Sequence, residues 1–327
     1  MIDFKKLEKI ITKNQKFLLT THVNPDADAI GSQIAFYQIL KKLDKESRLI
    51  NHSETPYNLK FLDVDNKIEK FDEEIHKQVF NEVDVIVALD FNRSGRMVRM
   101  EKGFLKSTKL KICIDHHTDP ENVFDHIFDD INYSATSHIL YDFIKQAGIA
   151  EIDLSVAVPV YAGIMTDTGS FRFERTDSEL HKITAELLNI GVNPQEVYDK
   201  IYDQSKFSKA KLLGKALESL QLFGPEKEIA YMVLTQENFR QLDAIESDTD
   251  TFVNYCLSIE KVRIGIMFIE LKDGFKVSFR SKGNIPVNKL AAEYGGGGHL
   301  NASGARLFHK RMNDYITEIL NRALNYL

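Results

Sequence analysis

Short apolar runs that end in histidine or aspartate recur along the first half of this chain. The clearest three are residues 17–19 before His22, 85–89 before Asp90, and 110–114 before Asp115. Runs of this length, lying between helix-like segments, are typical of buried parallel strands. Parallel strands bring their carboxyl ends to one edge of a sheet, where ligands bind. The pattern therefore predicts an α/β fold in which these polar side chains converge.

A fourth polar residue, Asp167, follows the apolar run 161–165, which reads either as a strand or as part of a helix over 156–165. Further ionisable residues flank the first and third runs. If all four segments converge, the site contains the following side chains: His22, Asp26, Asp28, Asp90, Asp115, His116, His117 and Asp167.

So many carboxylates in one low-dielectric site repel each other unless cations compensate them. If Asp26, Asp28, Asp90 and Asp167 are ligands, their four charges balance two divalent ions. Carboxylate oxygens with a minority of imidazole suit Mn²⁺ or Mg²⁺, whereas a structural zinc site normally recruits thiolates. Neither Cys113 nor Cys256 is placed for that role. The residues therefore predict a site for two divalent ions, either Mn²⁺ or Mg²⁺.

Taken in chain order, these motifs resemble the DHH phosphoesterase family. Residues 22–32 match His-x-x-Pro-Asp-x-Asp-x-x-Gly-Ser, followed by the lone Asp90, the triplet 115–117 and Asp-Thr-Gly-Ser at 167–170. A fifth block, residues 295–304, resembles the signature of the DHH-associated substrate-binding domain. Ala27 departs from the pattern, since many members have glycine there, and it carries no ligand atom.

The resemblance implies a role for each site residue. One metal would be bound by His22, Asp26 and Asp90, and the other by Asp28, Asp90, His116 and Asp167, with Asp90 bridging. Asp115 would orient a histidine, and His117 would contact the phosphate or the leaving oxygen. Thr136 and Ser137 fit either a phosphate contact or the start of a helix.

The segment 274–311 is basic, with seven lysines or arginines against the single acid Glu293. Its four consecutive glycines let backbone N–H groups approach an anion, and two of its side chains can donate hydrogen bonds to phosphate. The candidate substrate-binding residues are Arg280, Gly297, Gly298 and His299. The net charge of −6 argues against a protein that coats long nucleic acids. A small anionic substrate fits better.

The pattern of elements predicts an N-terminal doubly wound parallel sheet and a smaller C-terminal α/β domain across a cleft. We expect a catalytic domain at residues 1–190, connector helices at 191–223 and a substrate-binding domain at 224–327. Residues 206–223 read as one helix of that connector, and Asp273-Gly274 joins two strands as a hairpin.

No apolar stretch approaches the roughly 18 residues of a membrane helix, and the charged start lacks a signal-peptide core. Two isolated cysteines give no disulfide framework. We therefore expect a cytoplasmic protein that binds no membrane, either a monomer or a homodimer.

Within the family, the chain is similar to the stand-alone bacterial nanoRNase and pAp phosphatase type. This similarity implies hydrolysis of short oligoribonucleotides, about 2–5 nucleotides long, to nucleoside 5′-monophosphates, and of adenosine 3′,5′-bisphosphate (pAp) to AMP. Long duplex nucleic acid is not an expected partner.

A phosphodiesterase acting on cyclic di-AMP or its linear product pApA is the alternative with the same chemistry. The block at 295–304 argues against a family II inorganic pyrophosphatase, and a RecJ-type exonuclease should be longer. A non-catalytic nucleotide-binding sensor would show a broken ligand set, and every ligand is present here.

Overall fold

The computed structural model describes residues 2–204 and 206–327. The chain divides into two compact units, Met1–Gln204 and Ser205–Leu327, which we call unit 1 and unit 2. Each unit is built on its own six-stranded sheet.

The sheet of unit 1 is parallel throughout, with the strand order β3-β2-β1-β4-β5-β6. Its strands are β1 (Lys16–Thr21), β2 (Glu46–Asn51), β3 (Ile68–Lys70), β4 (Val85–Leu89), β5 (Leu110–Asp115) and β6 (His126–Asp129). Alternate residues pack on opposite faces: Phe17 and Leu19 join one buried cluster and Leu18 joins another. Because both faces are covered, the central strands β1, β4 and β5 are buried over most of their length and contain the apolar runs seen in the sequence.

Nine helices lie in residues 2–204, the part of unit 1 that the structure describes. They are α1 (Phe4–Lys13), α2 (Ala27–Lys42), α3 (Glu73–His76), α4 (Val79–Glu82), α5 (Glu101–Lys106), α6 (Thr136–Ala147), α7 (Leu154–Asp167), α8 (Ser178–Ile190) and α9 (Pro194–Tyr202). Short 3₁₀ helices span Tyr57–Leu62 and Ser94–Met100. Helix α8 starts at the capping Asp177 and stops at Gly191, whose φ of 115° glycine adopts readily.

The apolar run before Asp167 is helical, so the interpretation of 161–165 as a strand is wrong. Residues 156–165 lie inside α7, and Asp167 is its last residue. The helix is apolar on nearly all sides because it is buried, and such a helix has no amphipathic period to separate it from a strand.

Helices α2 and α7 pack closely through two glycines. A Cβ atom on Gly31 of α2 would lie 2.4 Å from the carbonyl oxygen of Pro159 in α7. A Cβ atom on Gly163 of α7 would lie 2.2 Å from Ser137 Oγ and 2.4 Å from Asp28 Oδ1. Real Cβ contacts of this length do not occur, so both positions require glycine. This packing brings the C-terminus of α7 close to the start of α2.

The sheet of unit 2 has the order β11-β12-β10-β9-β8-β7 and is mixed, since β8 and β9 are parallel and the other pairs antiparallel. Its strands are β7 (Gln221–Phe223), β8 (Ile229–Leu234), β9 (Ile264–Leu271), β10 (Gly274–Ser281), β11 (Gly297–His299) and β12 (Ala302–Leu307). Its helices are α10 (Phe207–Glu218), α11 (Gln236–Leu242), α12 (Asn254–Leu257), α13 (Val287–Ala292) and α14 (Met312–Leu324), with a 3₁₀ turn at Glu246–Thr249.

Two predictions from the sequence concern unit 2. The prediction of one helix over 206–223 is wrong at its end, because α10 stops at Glu218 and residues 221–223 pair with β8 as an edge strand. The hairpin through Asp273-Gly274 is confirmed, since β9 and β10 are antiparallel neighbours. The α/β fold class, with an N-terminal parallel sheet covered on both faces and a second α/β unit, is also confirmed.

Across residues 2–204 and 206–327, none of the helices combines the length and the apolar character needed to cross a membrane.

Candidate active site

Three strands of unit 1 end at site residues. His22 follows β1, Asp90 follows β4, and Asp115 is the last residue of β5, directly before His116 and His117. Strands β1 and β4 are neighbours at the point where the strand order reverses, and ligands bind outside the carboxyl ends of strands at such a point. The sheet topology therefore explains why residues far apart in sequence meet here.

Asp26 enters the site as the cap of α2. Its Oδ1 accepts hydrogen bonds from the backbone N–H groups of Asp28 and Ala29, both at 3.1 Å. Aspartate is favoured at this position because it satisfies N–H groups that lack a helical partner. The other oxygen, Oδ2, lies 3.8 Å from His22 Nε2. The cap thus decides which oxygen of Asp26 faces the cluster.

Asp28 is completely buried and is bound by the N-terminus of α6. Its carboxylate accepts hydrogen bonds from the backbone N–H groups of Thr136 at 2.7 Å and Ser137 at 2.9 Å, and from Ser137 Oγ. The Thr136 hydroxyl donates to Asp90 Oδ1 at 3.1 Å. These two residues therefore start a helix and bind carboxylates of the site, and the backbone N–H groups at a helix start favour a negative charge.

The first group of potential metal ligands is His22, Asp26 and Asp90, whose ligand atoms all lie within 4.8 Å of one another. His22 Nε2 lies 3.4 Å from Asp90 Oδ2. His22 and Asp90 are almost completely buried, whereas Asp26 is exposed. Two members of this group are therefore held inside the protein, and the third lies at the surface.

The second group is Asp28, His116 and Asp167, with the same limit of 4.8 Å. His116 Nε2 lies 3.2 Å from Asp167 Oδ2, 3.9 Å from Asp28 Oδ2 and 3.6 Å from Asp90 Oδ1. Asp167 reaches this group from the end of a helix, and the other members of the site come from strand ends or from the start of α2.

Asp90 belongs to the first group through one oxygen and faces His116 of the second group through the other. Its Oδ2 faces His22 Nε2 at 3.4 Å and its Oδ1 faces His116 Nε2 at 3.6 Å. Its backbone has a φ of 63°, in the left-handed region that non-glycine residues seldom occupy. Such conformations cost on the order of 1–3 kcal/mol and cluster at functional sites. The strained backbone presents one carboxylate to two histidines.

Both histidines present the same ring nitrogen to the carboxylates. Nδ1 of His22 lies 2.9 Å from the carbonyl oxygen of Val23, and Nδ1 of His116 lies 3.4 Å from that of Tyr133. A ring nitrogen beside a carbonyl oxygen carries the proton, so Nε2 of each neutral imidazole holds the lone pair. His116 Nε2 is buried and finds no hydrogen-bond partner among the described residues. Lone pairs of nitrogen and carboxylate oxygen facing each other fit a shared divalent cation.

The electrostatics of the cluster agree with that fit. Burial raises the pKa of Asp28 well above its usual range, and the charges of Asp90 and Asp167 raise it further. Burial, followed by the charges of Asp26 and Asp90, raises the pKa of Asp167 to about 6, although His116 opposes the shift. Burial lowers the pKa of His116, but Asp167 and Asp90 more than offset this and raise it to about 12. Carboxylates crowded to this degree favour a positive charge among them.

Asp115 is completely buried and binds the two histidines that follow it. Its Oδ1 accepts a hydrogen bond from the backbone N–H of His116 at 2.8 Å and lies 2.7 Å from His117 Nδ1. The second contact makes Nδ1 the protonated nitrogen of neutral His117 and fixes the plane of its ring. Asp90, Asp115, His116 and His117 also form a close group, but this oxygen of Asp115 is already used by hydrogen bonds.

A cavity of about 360 Å³ in unit 2 is lined by three of the four predicted substrate-binding residues, Arg280, Gly297 and His299. The alternation of β10 explains its polar floor: Phe275, Val277 and Phe279 are buried in the core on one face. The residues between them line the cavity from the opposite face: Lys276, Ser278 and Arg280.

The glycine block is an edge strand. Residues 297–299 form β11 and pair with 302–304 of β12. A Cβ atom on Gly298, which has a φ of 140°, would lie 2.5 Å from the carbonyl oxygen of Ala302. A Cβ atom on Gly297 would meet no atom of the described chain within 4 Å. Gly298 is therefore required by the hairpin, whereas Gly297 leaves open space in the cavity.

Part of this cavity is not predicted from the sequence. Lys276 was counted only in the basic segment, and the loop residues Thr249, Asp250 and Thr251 were not considered, yet all four line the cavity. The period-2 pattern of β10 places Lys276 on the same face as Arg280 and could have identified it. Nothing in the local sequence marks the loop, because its position depends on the tertiary fold.

Comparison with known proteins agrees with the motifs. The DHH family, N-terminal domain, matches residues 16–164, and the DHHA1 domain matches residues 227–325. The bifunctional oligoribonuclease and PAP phosphatase NrnA of Thermus thermophilus is 33% identical over 315 residues, covering 93% of this chain and 90% of that protein. The protein of the same name from Bacillus subtilis is 28% identical over 306 residues, covering 93% of each chain.

A solved structure is also similar over nearly the full length. The crystal structure of an exopolyphosphatase-related protein from Bacteroides fragilis superposes with a TM-score of 0.93 at 33% identity, covering 98% of this chain and 95% of that one. The expected family is thus supported by sequence and by fold. This chain belongs to the DHH family and carries a DHHA1 domain in its second half.

Proposed function

We propose that this protein is a manganese-dependent phosphoesterase that hydrolyses short oligoribonucleotides to nucleoside 5′-monophosphates and pAp to AMP. The observation that carries the proposal is Asp90, whose two oxygens face two separate histidine and aspartate groups. The names of the relatives from Thermus thermophilus and Bacillus subtilis supply the substrate class.

Two metal ions would be bound by the two groups of unit 1. His22, Asp26 and Asp90 would bind one ion, and Asp28, Asp90, His116 and Asp167 the other. An oxygen-rich set with two imidazoles suits Mn²⁺, with Mg²⁺ as a substitute. When bound, such ions lower the pKa of water and neutralise charge on the phosphate under attack.

The contacts of His117 and Asp115 support roles on the protein side. Asp115 holds His117 through Nδ1, so the ring is oriented before a substrate arrives. We assign His117 to the phosphate or the leaving oxygen, to which Nε2 of the doubly protonated ring donates a hydrogen bond or a proton; burial lowers the pKa of His117, but Asp115 more than offsets this and favours that state. Asp115 is the positioning residue of this pair, since it touches the histidine and not the reacting atoms.

Unit 2 would bind a terminal phosphate of the substrate. Arg280 and His299 supply donors, and the backbone at Gly297 lets an anion approach without obstruction by side chains. The proposed division of labour gives residues 1–190 the chemistry and residues 224–327 the binding, with 191–223 connecting them. A cavity of about 360 Å³ is near the lower limit for small-molecule sites and suits one nucleotide rather than a tracked strand.

The test is a comparison of kcat/KM for pAp, pApA, cyclic di-AMP and RNAs from two to about twenty nucleotides, with Mn²⁺ or Mg²⁺ at fixed ionic strength. We expect high values for about two to five nucleotides and for pAp, and low values for long RNA and duplex DNA. Values that rise up to the longest RNA would indicate a processive exonuclease. Activity confined to cyclic di-AMP or pApA would reassign the substrate. A cytoplasmic location and the choice between monomer and homodimer stay predictions.

A further inference from the structure

The cavity of unit 2 contains one acidic side chain among basic and neutral ones. Lys276, Arg280 and His299 are its potential cations, and Asp250 is its single carboxylate within the described lining. A pocket built only to hold a phosphate gains nothing from a carboxylate, because like charges repel. Asp250 therefore indicates that the ligand also brings hydrogen-bond donors.

Asp250 acts on Lys276 and Arg280 through its charge but is not paired with either of them. Glu246 already pairs with Lys276, Nζ to Oε1 at 3.3 Å, and with Arg306. Arg280 donates to the carbonyl oxygen of Phe279 at 3.0 Å. Across residues 2–204 and 206–327, Asp250 forms no ion pair within 4.0 Å. Its carboxylate is therefore available inside the cavity.

The loop that carries Asp250 is well anchored. Phe252 and Val253, which follow it, are buried in the core of unit 2. The Thr249 hydroxyl donates to the carbonyl oxygen of Glu246 at 2.7 Å. Thr251 has a φ of 74°, a conformation that a β-branched residue adopts only when its surroundings impose it. The fold thus holds Asp250 at the cavity at the expense of local backbone strain.

A nucleotide combines an anion with neutral donors close to it. Its phosphate matches Arg280 and His299, and its ribose hydroxyls are donors for which a carboxylate is a strong acceptor. Aspartate or glutamate binds ribose hydroxyls in the same way in dinucleotide-binding folds. The 2′-hydroxyl is the group by which a protein distinguishes RNA from DNA.

We infer that Asp250 accepts a hydrogen bond from a ribose hydroxyl of the nucleotide bound in this cavity and so selects ribonucleotides over deoxyribonucleotides. The inference rests on the proposed function for its substrate class. It makes Asp250 a specificity residue, separate from the phosphate-binding residues Arg280 and His299.

The experiment compares wild type with Asp250→Asn in two assays on the full chain. The first measures kcat/KM for RNA trinucleotides, for the same trinucleotides with single 2′-deoxy positions, and for pAp with its 2′-deoxy analogue. The second measures binding of AMP, 2′-deoxy-AMP, 3′-deoxy-AMP and tripolyphosphate by calorimetry. Asp273→Asn is the matched control, because Asp273 is an exposed carboxylate of unit 2 at the β9–β10 turn and contacts His309 at 2.8 Å.

Asparagine keeps a neutral oxygen acceptor but loses the charge of Asp250, and the whole of a hydrogen bond to a charged group corresponds to about a tenfold effect or more. Wild type and the control should prefer the ribose form by about that factor at one nucleotide position. Asp250→Asn should reduce the preference towards one, and it should strengthen tripolyphosphate binding because a negative charge leaves a basic cavity. A purely structural role for Asp250 would not produce these opposite changes.

Several outcomes separate the inference from the proposed function. Equal losses on ribose and deoxyribose ligands, or no ribose preference in wild type, would overturn the inference. If wild type hydrolyses neither short RNA nor pAp, the proposed function fails, and the calorimetric comparison still decides the role of Asp250. A preference that survives in Asp250→Asn but depends on the base would assign the cavity to base recognition instead.

Discussion

The metal-binding cluster of unit 1 and the cavity of unit 2 are built in opposite ways. In unit 1, buried carboxylates and imidazoles are fixed by strand ends and two helix starts, and the histidines offset only part of the negative charge of the carboxylates. In unit 2, the ligand-facing groups are long cations and bare backbone on an exposed edge strand. The cluster of unit 1 needs bound cations to offset its remaining negative charge, whereas the cavity of unit 2 leaves space for an anion.

This difference has consequences for mutations. A residue of the cluster shares its charge with every neighbour, so removing one disturbs all of them. A residue of the cavity has few partners within the protein, so removing it should affect the ligand alone. The following predictions test that contrast, from the largest expected effect to the smallest.

Asp90→Ala should have the largest effect. Loss of the carboxylate that faces both histidine groups should lower kcat/KM on the order of a thousandfold or more, as for residues that act as a unit. Metal content, measured by elemental analysis after gel filtration, should fall together with activity. An active variant that retains two bound ions would show that Asp90 does not bridge them, and Asp273→Ala serves as the control for a lost surface carboxylate.

Arg280→Ala should have a smaller and different effect. We expect kcat/KM for pAp and short RNA to fall about tenfold to a hundredfold, because a charged hydrogen-bond donor is lost. The change should appear mainly in KM, and metal content should stay at the wild-type value. Arg280→Lys keeps the charge but not the planar fork, so it should recover part of the loss. Metal loss in Arg280→Ala would remove the contrast between the two sites.

The same contrast explains which parts of the molecule were predictable. The strands before His22, Asp90 and Asp115 are buried over at least their last four residues, so their apolar runs are visible in the sequence, and parallel strands then require their ends to meet. The sequence predicts Asp167 in the site but does not decide whether a strand or a helix precedes it, because a buried helix and a buried strand are both apolar on all sides.

The cavity was less predictable because its parts are defined by tertiary contacts. The glycine block gave no apolar alternation, so its pairing with β12 as an edge strand was not foreseen. Asp250 lies in an irregular loop, and its position depends on the burial of Phe252 and Val253, which follow it closely in the chain. The sequence predicts a helix up to residue 223, beyond the observed end of α10 at Glu218, because β7 is only three residues long and pairs at the edge of the sheet.

The pH dependence of stability should differ with and without metal. The pKa of Asp167 rises from 3.8 to about 6 on folding, so the metal-free folded chain binds more protons than the unfolded chain between these values. Stability without metal should therefore fall as pH rises through this window. The pKa of His116, raised from 6.5 to about 12, extends the fall to higher pH. Bound cations replace these protons, so metal binding strengthens as pH rises.

Thermal unfolding with and without Mn²⁺, at about pH 5 and about pH 8, measures this effect. The increase in Tm caused by Mn²⁺ should be larger at the higher pH by several degrees, since about 1 kcal/mol shifts Tm by about 2–4 °C in a domain of this size. An equal increase in Tm at both pH values would show that bound Mn²⁺ does not replace protons on Asp167 and His116. Asp90→Ala should show little increase at either pH.

The smallest expected effect distinguishes Gly297, which lines the cavity, from the adjacent Gly298, which does not. In Gly297→Ala, the added methyl group meets no atom of the described chain within 4 Å, so Tm should stay close to wild type. If the space belongs to a ligand, KM for pAp should rise by a factor of about three to ten, as for about 1 kcal/mol of steric conflict. In Gly298→Ala, the methyl group would lie 2.5 Å from a carbonyl oxygen at a φ of 140°, so the variant should lose stability. A stability loss in Gly297→Ala with unchanged KM would mean that this glycine, too, serves the hairpin and not the ligand. The contrast between the metal-binding cluster of unit 1, whose residues depend on one another, and the cavity of unit 2, whose residues face the ligand, would then not hold at Gly297.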